Sequence, residues 1–128
     1  MRSYRDLLVW QRALQMAESA YMFAALLPRD ERFGLVSQIQ RAAVSVSANI
    51  AEGHERRSTR EYLRFMAIAF GSLAELETLV ELSLRLYRLS DTNADGVLAL
   101  ADETGRMLRA IETTIRSRIE EPGALASL

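Results

Sequence analysis

Apolar residues recur along this chain at three- and four-residue steps in four blocks, and no alternating, strand-like pattern persists between them. The first block predicts a helix from Tyr4 to Leu27. Leu7, Trp10, Leu14, Ala17, Tyr21 and Ala24 follow a 3-4-3-4-3 spacing on one stripe, Ser3 and Asp6 fit a capping pair, and Pro28 disfavours continuation. The second predicts a helix from Glu31 to Ala51, with Asp30 as cap, an apolar stripe of Val36, Ile39, Ala43, Val46 and Ile50, and Gly53 just past its end. Small and β-branched residues in that stripe favour a close helix approach.

The third block carries the clearest signal. Ser58 and Glu61 form a capping box, and Tyr62, Met66, Ala69, Leu73, Leu76, Val80 and Tyr87 hold a near-heptad stripe. The helix is expected to reach Leu89, about 30 residues or ~45 Å at 1.5 Å per residue, with Arg85 and Arg88 near its C-terminal, electronegative end. The fourth helix begins after Asp91-Thr92-Asn93 and ends near Ile119, with Val97, Ala101, Leu108, Ile111, Ile115 and Ile119 facing inward. Four amphipathic helices joined by short loops predict an all-α fold, an antiparallel up-down-up-down four-helix bundle over residues 1–120, followed by a frayed, patternless tail over 121–128.

The third helix holds more apolar residues than such a bundle needs. Leu63, Phe65, Ile68, Phe70, Leu79, Leu82, Leu84, Leu86 and Leu89 stand beside its main stripe. Uncovered patches of that size mark interfaces, so a homo-oligomer is expected, with a solvated monomer as the alternative.

Composition narrows the chemistry. One domain of 128 residues buries about two-thirds of its unfolded surface. The absence of cysteine excludes disulfides, Cys-based metal sites and Cys nucleophiles, and fits a reducing, cytoplasmic setting. No apolar run reaches the ~18 residues needed to span a bilayer, and the opening MRSYRDLLVW lacks the apolar core of a secretory signal. The net charge of −1 hides an uneven distribution: the stretch from Gln38 to Ala74 is basic, and that from Glu75 to Glu103 is acidic. Every basic side chain apart from His54 is arginine, whose planar fork suits phosphate and carboxylate; a GC-rich coding bias accounts for the same usage.

No catalytic constellation emerges. His54 is the only histidine, falls in the expected turn between the second and third helices, and has no patterned Ser or Asp partner. Its context H-E-R-R is not a zinc-binding H-E-x-x-H, the Glu-x-x-His pairs of a di-metal bundle are missing, and no glycine-rich phosphate loop occurs. A polar stripe of Gln38, Arg41, Ser45, Asn49 and Glu52 on the second helix reads as register-fixing hydrogen bonding between helices. Arg56, Arg57, Arg60 and Arg64 cluster at the start of the third helix. In one copy, offset by Glu55 and Glu61, they read as a solvated face; multiplied round a ring of subunits, they make an electrostatic footprint for phosphates.

Several segments carry a resemblance. Leu7-Leu8-Val9-Trp10-Gln11, Gln38 to Ala43, Asn49-Ile50-Ala51-Glu52-Gly53, Arg56 to Glu61 and Gly71-Ser72-Leu73-Ala74-Glu75-Leu76 together resemble a family of small four-helix-bundle proteins encoded within intervening sequences of bacterial large-subunit ribosomal RNA genes. That family includes the accessory variability determinant proteins of diversity-generating retroelements. The resemblance covers about residues 4–118. It implies a bundle assembled as a pentameric barrel and, in the retroelement relatives, binding to nucleic acid and a reverse transcriptase through basic surface. On this sequence that weight falls on Arg41, Arg56, Arg57, Arg60 and Arg64.

The expected function is therefore non-enzymatic: a homo-oligomer that binds RNA or DNA weakly, or serves as an accessory to a ribonucleoprotein. The alternative is a protein-interaction scaffold that binds no nucleic acid. No cofactor, metal or membrane partner is expected.

Overall fold

The computed structural model describes residues 3–120: four α-helices, α1 (Leu8–Ala24), α2 (Leu35–Glu55), α3 (Thr59–Leu86) and α4 (Asp95–Glu120), with three short 3-10 turns before α1, α2 and α4. The tail expected over 121–128 lies outside the described residues.

Each helix packs on its neighbours in sequence, and α1 closes the ring against α4. Pairs of contacts fix the directions. Ser45 meets Ser72 while Gly53 meets Phe65, so α2 and α3 are antiparallel. Arg12 reaches Glu103 while Ser19 approaches Gly96, so α1 and α4 are too. Met16, Ile39, Ile50, Met66, Leu76 and Leu108 are among the largest fully buried side chains, drawn from all four helices.

The N-terminus departs from the expected single helix. The Ser3 hydroxyl accepts from Arg5 N at 3.1 Å, the Gln11 amide donates to Arg5 O at 2.9 Å, and Leu7 is extended at φ −74°, ψ 123°. A 3-10 turn over Tyr4–Asp6 therefore precedes α1. The buried face of α1 is also rotated from the expected stripe. Leu7, Ala17 and Ala24 of that stripe are buried, but Val9, Ala13, Met16, Ala20 and Phe23 join them, whereas Leu14 and Tyr21 are exposed and Trp10 is half-buried against Tyr4. Alanines, weak in any hydropathy pattern, let the neighbouring helices come close enough to make this narrow face the core.

The start of α2 is set by a carboxylate other than the expected Asp30. Glu31 Oε1 accepts from Leu35 N at 3.2 Å, four residues later than the expected start. Its other oxygen accepts from the Tyr87 hydroxyl, tying the α1–α2 connection to the far end of α3. These two bonds hold the Glu31 carboxyl below its ordinary value, the Tyr87 bond most strongly, and the bond to Glu31 is the chief cause that raises the Tyr87 phenol above its own.

At the other end of α2, Gly53 does not lie past the helix. The helix runs on to Glu55, and Gly53 is buried inside it, where an added Cβ would sit 2.9 Å from Phe65 Cβ and 3.2 Å from Tyr62 Cδ1. The glycine lets α2 and α3 touch.

α3 ends at Leu86, short of Leu89. Arg88 takes φ +50° and Leu89 N donates to Leu84 O at 3.0 Å, a left-handed stop filled here by arginine in place of glycine. The capping box at the helix start is half formed: Ser58 Oγ accepts from Glu61 N at 3.3 Å, but the Glu61 carboxylate pairs with Arg64. The bundle covers more of α3 than expected. Phe65, Leu79 and Leu84 are buried, Leu63, Phe70 and Leu89 half-buried, and Ile68, Leu82 and Leu86 exposed. The reason is that α2 and α4 flank the helix on both sides and cover a wide arc.

Candidate nucleic-acid interface

The α2–α3 corner is built by a tight turn. Arg56 N donates to Gly53 O at 3.1 Å as α2 closes, Arg56 itself is extended, and Ser58 caps α3 two residues on. Four arginines thus crowd into nine positions around one corner, as the sequence predicts.

The structure divides them by role. The Arg56 and Arg64 guanidiniums lie over the Phe65 ring, 4.8 and 4.7 Å from its centroid, and Arg64 Nε also donates to Glu61 Oε2 at 2.8 Å. Phe65 is only 6% exposed, so these two cations close the edge of the core with their stems and planar heads. Arg57 and Arg60 are exposed and form no ion pair among the described residues. They stand at the N-terminus of a 28-residue helix. A cation there opposes the helix dipole, by ~0.3–1 kcal/mol in general, while an anion is favoured.

Arg41 does not join this group. Gly53 is the α2 residue level with Phe65, and Arg41 lies twelve positions earlier, about 18 Å along the axis at 1.5 Å per residue. It is exposed on the polar stripe of α2. That stripe ties α2 to α3 at one member, where Ser45 Oγ shares a 2.7 Å hydrogen bond with Ser72 Oγ; Asn49 Nδ2 donates back within α2, to Ser45 O at 2.8 Å and Ser45 Oγ at 3.0 Å. Gln38, Arg41 and Glu52 face solvent.

His54 lies in the last turn of α2 and not in a loop. It is half-buried, with Nδ1 3.4 Å from the Tyr62 hydroxyl and the two rings edge to face at 5.9 Å. Burial pushes the Tyr62 phenol up. Both residues floor an open groove of about 590 Å³ that Leu7, Ile111, Ile115 and Arg118 also line. Sequence reading missed Phe65 as the platform for two guanidiniums. The only signal was an aromatic directly after Arg64, and the decisive Arg56 contact spans the turn.

Among the described residues, no group of three or more His, Cys, Asp or Glu side chains converges as metal ligands would. No helix among them is long and apolar enough to cross a membrane.

No curated protein matches the chain. The model of one protein family does, from residue 5 to residue 110, a span that takes in α1, α2, α3 and more than half of α4. On that match over most of its length, the chain belongs to the 23S rRNA-intervening sequence protein family.

Proposed function

We propose that this protein is a non-enzymatic, homo-oligomeric accessory factor that holds RNA or another nucleic acid by its phosphates, weakly and without sequence preference. Its setting is the cytoplasm and its assembly a pentamer, as the resemblance to the retroelement accessory proteins implies; a ribonucleoprotein or a reverse transcriptase is the partner of the same kind. The observation that carries the reading is the pair Arg57 and Arg60, exposed and unpaired among the described residues, at a helix N-terminus where they do nothing for the helix itself. A phosphate placed there meets two forks and the free N–H groups of the first turn together. One copy offers few contacts; a ring repeats them, and linked weak contacts bind far more tightly than one.

Labelled single-stranded RNA in a salt titration tests this. Binding is expected at low salt and falls steeply as salt rises, by about 0.7 in log–log slope per phosphate contacted. Replacing Arg56, Arg57, Arg60 and Arg64 with alanine removes it, and Arg57→Ala with Arg60→Ala removes most of it. Absence of binding at low salt, or an unchanged affinity in the fourfold variant, sinks the reading. A scaffold that docks a protein partner would then stand, favoured by Phe33 and Met22, which are 84% and 74% exposed.

A further inference from the structure

Three glycines sit well inside helices of this bundle, and two have an evident reason. A Cβ on Gly53 would strike Phe65, and one on Gly105 would come within 3.2 Å of Leu73 Cδ2. Gly71 has no such reason. It lies in the middle of α3, exposed, and an added Cβ would meet nothing within 4 Å. Glycine weakens a helix interior relative to alanine, so the chain carries a weakness that its own packing does not explain.

The surroundings of Gly71 are those of a second helix seam. Ile68, Gly71, Glu75, Thr78, Leu82 and Leu86 follow steps of three and four residues, all exposed, on the side of α3 away from the core. Ile68, Leu82 and Leu86 are 40%, 43% and 56% exposed. The Ser45–Ser72 hydrogen bond marks where α2 borders this face, and Arg41 and Ala48 lie one step along α2 on either side of Ser45. Arg41 and Glu75 are both exposed, and neither is in an ion pair among the described residues. The face therefore holds a bare glycine floor, apolar anchors and unpaired charge of both signs.

We propose that the outer α2–α3 face centred on Gly71 is the surface on which a second copy of this chain docks. A second copy is the occupant because the two edges of the face complement each other head to tail, as a ring requires: Arg41 on α2 of one copy can meet Glu75 on α3 of the next, and Val44, 47% exposed on the same side of α2, can fill the dip that Gly71 leaves. This rests on the homo-oligomeric reading above and says where that contact lies.

Light scattering and sedimentation at tens of micromolar test it. The wild type is expected as a multimer. Gly71→Arg, on an open surface, keeps the helical circular dichroism but drops to the monomer mass, and Leu82→Asp does the same. Phe33→Asp, an exposed aromatic in the α1–α2 connection, keeps the wild-type mass. If both seam variants assemble like the wild type, or if Phe33→Asp alone breaks the multimer, the seam is not the interface. A wild type that is monomeric throughout overturns the homo-oligomeric reading instead.

Discussion

Gly53 and Gly71 sit on the two sides of one helix pair and show opposite uses of the same residue. At Gly53 the backbones of α2 and α3 are so close that a single methyl group would collide with Phe65. At Gly71 the helix surface is bare. A missing side chain strengthens a structure only where something occupies the space it leaves. Inside the bundle α3 itself does so; on the outer face nothing within the chain does. The corner arginines divide in the same way, for Arg56 and Arg64 are absorbed into packing on Phe65 while Arg57 and Arg60 are left over.

Substitution at the closed glycine should produce the largest effect. Gly53→Val forces the α2–α3 pair apart and should lower stability by roughly 1–3 kcal/mol, read as a lower denaturation midpoint. A variant as stable as the wild type would mean the contact is looser than 2.9 Å implies.

The packed interior of α4 offers a gain. Thr104 is fully buried and its hydroxyl has no hydrogen-bond partner among the described residues. Thr104→Val keeps the shape and removes the stranded group, so stability should rise by about 1 kcal/mol. A loss in urea melts would reveal a partner for that hydroxyl.

Ser45→Ala breaks the bond that sets the register of α2 on α3 and strands Ser72, at a cost of about 1 kcal/mol. Adding Ser72→Ala should recover part of it, because both partners are then gone; a fully additive double mutant would deny that the two are coupled.

The open glycine should respond with the opposite sign from the closed one. In the monomeric concentration range, Gly71→Ala should stabilise the chain by ~0.5–1 kcal/mol through helix propensity alone. A destabilised Gly71→Ala monomer would erase the contrast between the two positions.

The smallest effect concerns the Glu31–Tyr87 clasp, a part-buried bond at the far end of α3. Glu31 has its carboxyl lowered by the Tyr87 bond first and the Leu35 N–H second, so its contribution is present above the ordinary value of 4.5 and fades as pH falls through the lower folded value. Tyr87 has its phenol raised, chiefly by the same bond, so that contribution is present below 10.0 and fades as pH rises through the higher folded value. The thermal midpoint of Glu31→Gln should therefore lie closest to that of the wild type at the two pH extremes. Parallel curves at every pH would show that the clasp carries no stability.

Much of this was readable in the residues. Pro28, Ser58 and the Asp91-Thr92-Asn93 break punctuate the chain, and the α3 stripe from Met66 to Val80 is buried as its spacing predicts. The α1 stripe held at Leu7, Ala17 and Ala24 and failed at Leu14 and Tyr21, which outweigh Ala13 and Ala20 in any count of hydrophobicity, although closeness of approach is what selects the core. The arginine cluster could be read as a cluster, but not as two stacked and two free, and Arg41 could not be placed apart from it.

Hydropathy at three- and four-residue steps, proline breaks and capping side chains act within a few residues, and from them alone the chain fixes four helices, their order and their approximate limits. Which face of α1 turns inward, why α2 continues through Gly53, and which guanidiniums remain free were decided only when the helices met. Those outcomes depend on distances between backbones far apart in the chain, such as Gly53 to Phe65 and Arg56 to its ring, and no local pattern encodes them.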